Sequence, residues 1–142
     1  MPASKFFAFS CVLALGAALL GQETEIKSGG FVLKCRTTEN VRGNPDYLAL
    51  YKAIVADLKA NLESNQIALN KNVDVQADVL KSSSGKILNG VMVLVGSGGA
   101  EVSTFKGTFF PCRDSFQTAQ EYKEKVYNDY FKALTDRIKS IK

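Results

Sequence analysis

Three of the chain's five tyrosines stand close together near its C-terminus, and with Phe131 they form the densest aromatic group: Tyr122, Tyr127, Tyr130 and Phe131. A phenol ring buries apolar area while keeping a hydroxyl that wants a hydrogen bond, which is the chemistry of binding surfaces and pocket mouths. These four residues are the candidate binding residues. The side chains that carry most catalysis are missing. There is no histidine, which removes the serine–histidine and cysteine–histidine nucleophile systems and the commonest metal ligand. Three cysteines without a Cys-x-x-Cys pair exclude a zinc-finger module. No catalytic residue, metal site or cofactor is expected.

Carboxylates and tyrosines remain as candidate acid–base groups. Glu121, Glu124 and Asp129 share the polar side of the last apolar-periodic segment with Lys125 and Lys132, at the three- and four-residue steps of surface ion pairs. No acid is stranded in an apolar stretch, where a raised pKa would mark a general acid. A carboxylate-based hydrolase is therefore carried only as an alternative. Two further patterns imitate ligand sites. Gly96-Ser-Gly-Gly-Ala-Glu101 has the glycines of a phosphate-cradling loop, but Glu101 replaces the last one and a strand pattern follows instead of a helix, so it reads as a hairpin turn. Asn70, Asn72, Asp74, Gln76 and Asp78 alternate like calcium ligands. On a strand, successive side chains of one face stand about 6.6 Å apart, too far to share one ion. They read as the wet side of an amphipathic strand.

The elements that position these groups are legible from periodicity. Phe31, Leu33 and Cys35 predict a short strand after Gly29-Gly30. Asn44-Pro45-Asp46 is a helix start, with a cap, a proline at the first position and an acid facing the dipole. Tyr47, Leu48, Tyr51, Ile54, Val55, Leu58 and Leu62 follow at helical steps, predicting a helix over 45–64 with one buried face. Val73, Val75, Ala77 and Val79 alternate with polar residues as a strand. Turn clusters at Ser82–Gly85 and Gly96–Gly99 separate it from strands over 87–95 and 102–110, an antiparallel meander. A final helix, capped by Asp114 or Ser115, carries Phe116, Ala119, Tyr122, Val126, Tyr127, Tyr130, Phe131, Leu134, Ile138 and Ile141. At 100° per residue that apolar side spans about 180°, wider than the usual stripe of about 100°, and it takes in Lys123 and Arg137. Either the stems of these two lie along apolar surface, or the domain leaves part of this face uncovered.

The prediction is an α+β domain of four antiparallel strands, ordered strand, helix, three-strand meander, helix, with both helices on one face. The order of the first five elements resembles that of cystatin-like domains, in which a helix lies across an antiparallel sheet. The likeness is one of topology. The family's Gln-x-Val-x-Gly hairpin is absent, its Pro-Trp hairpin is impossible without tryptophan, and the last helix is extra, so it implies no function.

Residues 1–21 read as a secretory signal peptide. Lys5 supplies the charge, Phe6 to Leu20 is an uncharged apolar run too short for a membrane span of about 20 residues, and cleavage fits after Ala18 or Gly21. Cys11 leaves with it. The mature domain, 22–142, is then extracellular, or periplasmic in a bacterium, and its two cysteines predict a Cys35–Cys112 disulfide worth about 4 kcal/mol in the chain-entropy model. No later segment is long enough to span a membrane. A net charge of +4 with no basic run gives no sign of nucleic-acid binding. The expected function is a small secreted, non-enzymatic binding domain. It would engage a small apolar ligand or a protein partner, a second copy included, through the tyrosine-rich side of the last helix and the sheet. A secreted inhibitor, toxin or effector acting on a protein target is the alternative.

Overall fold

A computed structural model of the chain describes residues 23–99, 101, 104–112 and 118–142. The expected signal peptide and the candidate caps Asp114 and Ser115 lie outside them.

The first described residues are a strand that no apolar pattern announces. β1, Glu23–Ser28, has one buried residue, Ile26, among exposed and half-exposed neighbours. It pairs antiparallel with β2, Phe31–Thr37, through the two-residue turn Gly29-Gly30. Both turn residues have positive φ, 57° and 86°, the tight hairpin geometry that glycine adopts without strain. On β2, Leu33, Cys35 and Thr37 face inward while Lys34 and Arg36 face out.

A single turn, α1 at Glu39–Arg42, leads into α2, Pro45–Glu63. α2 starts as its sequence predicts. The Asn44 side chain accepts from the backbone N–H of Asp46 and of Tyr47 at 3.0 and 3.2 Å, and Pro45 takes the position where no N–H is needed. Tyr47, Tyr51, Ile54, Leu58 and Leu62 are buried, and Leu48 and Val55 pack against the core beside them.

β3, Val73–Asp78, β4, Gly90–Ser97, and β5, Lys106–Pro111, complete the sheet. The expected four antiparallel strands are corrected in two respects. The sheet has five strands, in the order β1-β2-β3-β4-β5, and β2 pairs with β3 in parallel. α2 supplies the long crossover that a parallel pair needs. A helix of 19 residues carries the chain back about 28 Å, more than the full length of β2, so β3 starts from the end where β2 started. The meander β3-β4-β5 is antiparallel as expected. The hairpin and the parallel pair also separate this sheet from the wholly antiparallel cystatin-like arrangement.

The terminal helix is continuous but not uniform. α3, Ala119–Tyr122, passes through a π-helical turn, Lys123–Tyr127, into α4, Asn128–Lys139. This accounts for the over-wide apolar arc. Projected as a plain α-helix, the buried residues Tyr122, Tyr127, Leu134 and Ile138 spread over about 160°, whereas one residue absorbed in the π turn gathers them within about 60°. Arg137, at the edge of that face, is tied to the sheet by a hydrogen bond from Nε to Thr108 Oγ1 at 3.1 Å, while Lys123 stays exposed.

Both long helices cover the same face of the sheet. Cys35, Val75 and Val95 align across β2, β3 and β4. Phe110 lies an even number of places along β5 from Lys106, their partner in register, and so projects to the same side. Tyr51 approaches Cys35, and Tyr127 packs on Phe110 with ring centroids 5.8 Å apart. The structure does not bring together the two cysteines of the expected Cys35–Cys112 disulfide. β3 and β4 lie between the strands that carry the two cysteines. That alone separates them by about 14 Å, where a disulfide tolerates a Cα separation of about 7 Å.

Candidate functional site

Where α2 runs past the start of the terminal helix, the two do not close on each other, and a groove of about 630 Å³ lies between them. One wall is a single stripe of α2. Ala49, Ala53 and Ala56 recur at four- and three-residue steps, with Asp46 at one end and Asp57 at the other. Eleven residues of helix set the two carboxyl-bearing positions about 16 Å apart. The alanines are exposed, since a methyl group is too short to bridge the gap. The opposite wall is Ala119, Tyr122, Lys123 and Tyr127, and buried Cys112 borders the groove at the end of β5.

The two tyrosines are held in place by their hydroxyls. Tyr127 donates to Asp57 Oδ2 at 2.6 Å, a bond that ties the terminal helix to α2 across the groove. Tyr122 donates to the carbonyl of Pro111, also at 2.6 Å, tying the same helix to β5. Burial pushes the Tyr122 phenol up to about 12, with Cys112 and Tyr130 adding to it. Burial pushes Tyr127 higher still, helped by the hydrogen bond to Asp57 and by that carboxylate's charge. Both phenols are neutral donors at any physiological pH.

Of the four candidate binding residues, the structure brings Tyr122 and Tyr127 into the groove. Tyr130 lies outside it, 40% exposed, with its ring 6.0 Å from that of Phe110. Phe131 stacks on Tyr127 at 5.8 Å and 12° between ring planes, supporting it from outside the groove. The facing wall is α2 and not the sheet, so Ala49, Ala53, Ala56 and Asp57 line the groove although the periodicity of α2 singles out only its buried face. Their one sequence signal is a run of small residues on the same face, which leaves room for a neighbour. Among the described residues, no group of three or more His, Cys, Asp or Glu gathers to hold a metal, and no helix is long and apolar enough to cross a membrane. Asp74, Gln76 and Asp78 lie half-exposed along β3, where Asp78 Oδ1 accepts from Thr38 Oγ1 and Val79 N at 2.8 Å each.

Comparison with known proteins found no matching family model, no similar curated protein and no similar solved structure. The groove's own chemistry is therefore the guide to what it takes.

Proposed function

We propose that the chain is a small secreted, non-enzymatic binding domain that takes a small, largely apolar ligand into the groove between α2 and the terminal helix. The observation that carries this reading is the pairing of an alanine wall with two fixed tyrosine rings around about 630 Å³, inside the range of about 300–1,000 Å³ that small-molecule sites occupy. Groups held this way suit binding. The Tyr127 and Tyr122 hydroxyls are spent on Asp57 and on the Pro111 carbonyl, so they hold the wall rigid before any ligand arrives.

Filling the groove tests it. Ala53 is exposed, so Ala53→Trp adds bulk to the groove without disturbing the core. N-phenyl-1-naphthylamine, a neutral apolar fluorophore, should brighten on binding the unaltered protein and lose at least about ten-fold in affinity with the variant, at an unchanged melting temperature. Equal binding by both proteins would place the apolar site elsewhere.

A further inference from the structure

Resting on that reading of the groove, we infer that its ligand carries a protonated amine at one end of an apolar body, with the ammonium against Asp57 and the body along the alanine stripe. The chain as a whole is basic, with 18 Lys and Arg against 14 Asp and Glu. Among the described residues the groove reverses that sign locally, since Asp46 and Asp57 face one ammonium, Lys123. The two signs are also held differently. Asp57 is half-buried and fixed by Tyr127, whereas Lys123 is exposed on a flexible stem whose charge stays hydrated.

Asp57 retains capacity for an incoming donor. A carboxylate offers about four lone-pair sites, and the Tyr127 hydroxyl takes one of them, on Oδ2. Asn61, one turn on, donates to the Asp57 backbone carbonyl and leaves the carboxylate alone. The Tyr127 hydroxyl holds that carboxylate in position, and the Tyr127 ring is itself packed in place. Phe131 backs the ring, and Tyr122 stands against it with centroids 6.1 Å apart. From Asp57 the apolar path runs past Ala56, Ala53, Leu50 and Ala49, about 16 Å to Asp46. That length and lining suit an alkyl or aryl chain. A carboxylic acid of the same shape would instead bring a third carboxylate beside Asp46 and Asp57.

Displacement of N-phenyl-1-naphthylamine by octylamine, 1-octanol and octanoate at pH 7.5 separates the possibilities. Octylamine should compete at least about ten-fold more strongly than 1-octanol, and octanoate least of the three. Asp57→Asn, which keeps an oxygen for Tyr127, should bring octylamine to within about two-fold of 1-octanol. Equal displacement by all three, or preference for octanoate, would overturn the amine while leaving an apolar groove. Failure of 1-octanol as well as octylamine would instead overturn the groove reading itself. Should the variant not fold, the ratio in the unaltered protein decides.

Discussion

The rings of Tyr122 and Tyr127 touch, 6.1 Å between centroids and tilted by 54°, although they stand five positions apart along one helix. In an α-helix, side chains five apart point about 140° away from each other. The π turn over Lys123–Tyr127 brings them together, and with them two anchors of the groove wall.

A π turn is one residue more than a regular helix needs, so removing one residue within it should be absorbed. Deleting exposed Lys125 converts the turn to plain α-helix with Tyr122, Tyr127, Leu134 and Ile138 still on one face. The melting temperature should hold or rise. Deleting exposed Lys52 from α2, which has no such turn, should cost more than about 4 kcal/mol by rotating Ile54, Leu58 and Leu62 out of the core. Equal losses in the two deletions would contradict this account of the turn.

The Tyr127–Asp57 bond should be measurable both as stability and as a pH profile. Tyr127→Phe removes a hydrogen bond to a half-buried carboxylate and should cost about 1.5–3 kcal/mol. The phenols of Tyr51, Tyr122 and Tyr127 are all raised above 10.0, with burial as the leading cause in each. A group whose folded pKa is raised contributes stability that is complete below its unfolded pKa and is lost as pH climbs toward the folded value. Urea midpoints should therefore fall above about pH 10, and less steeply in Tyr127→Phe.

Cys35 is fully buried, and burial pushes its thiol from 9.0 up to about 12. It should resist iodoacetamide at pH 8 in the native protein and react once urea is added, without reductant. A non-reducing digest should contain no peptide joining Cys35 to Cys112. Finding that cross-link would show that the strand order described above is not the one formed in solution. Cys35→Ser places an added hydroxyl among apolar neighbours and should cost about 1–3 kcal/mol.

Gly90 begins β4 where the partner backbone leaves no space. A Cβ there would stand 2.3 Å from the Phe110 carbonyl oxygen and 2.8 Å from the Pro111 Cα, so the β4–β5 ladder would have to spread. Gly90→Ala should destabilise by about 3 kcal/mol. Gly85→Ala, with nothing within 4 Å of its Cβ but φ at 86°, should cost about 1 kcal/mol of backbone strain. Chemical denaturation of the two variants gives the ranking directly.

The parts of the fold written in local chemistry were legible. Asn44, Pro45 and Asp46 announced α2, the alternation from Val73 to Asp78 announced β3, and Gly85 and Gly98-Gly99 marked turns of the meander, although Gly96 and Ser97 belong to β4. β1 was not legible, because an edge strand needs only one inward residue and Ile26 supplies it alone. Strand direction was not legible either, since alternation is the same for parallel and antiparallel pairs. Tyr122, Tyr127, Tyr130 and Phe131 stood out as a group, but dividing them between groove and support required the π turn, whose trace in the sequence was an apolar arc too wide for one α-helix. The α2 wall became a site only when a second helix was laid beside it, because exposed alanines carry no signature of their own.

The parallel pairing of β2 and β3 sets an order of events during folding. β1 meets β2 across two glycines, and the meander is likewise made from neighbours in sequence, but Leu33 meets Val73 only across about forty intervening residues. The sheet is thus two locally paired halves joined along one distant seam, and closing that seam should be the slow event. In stopped-flow refolding, Val75→Ala on the seam should slow folding, whereas Ile26→Val in the hairpin should mainly quicken unfolding. The opposite pattern would mean that the hairpin nucleates the domain. In this chain the helix that walls the groove is also the linker whose ordering decides how fast the two halves meet.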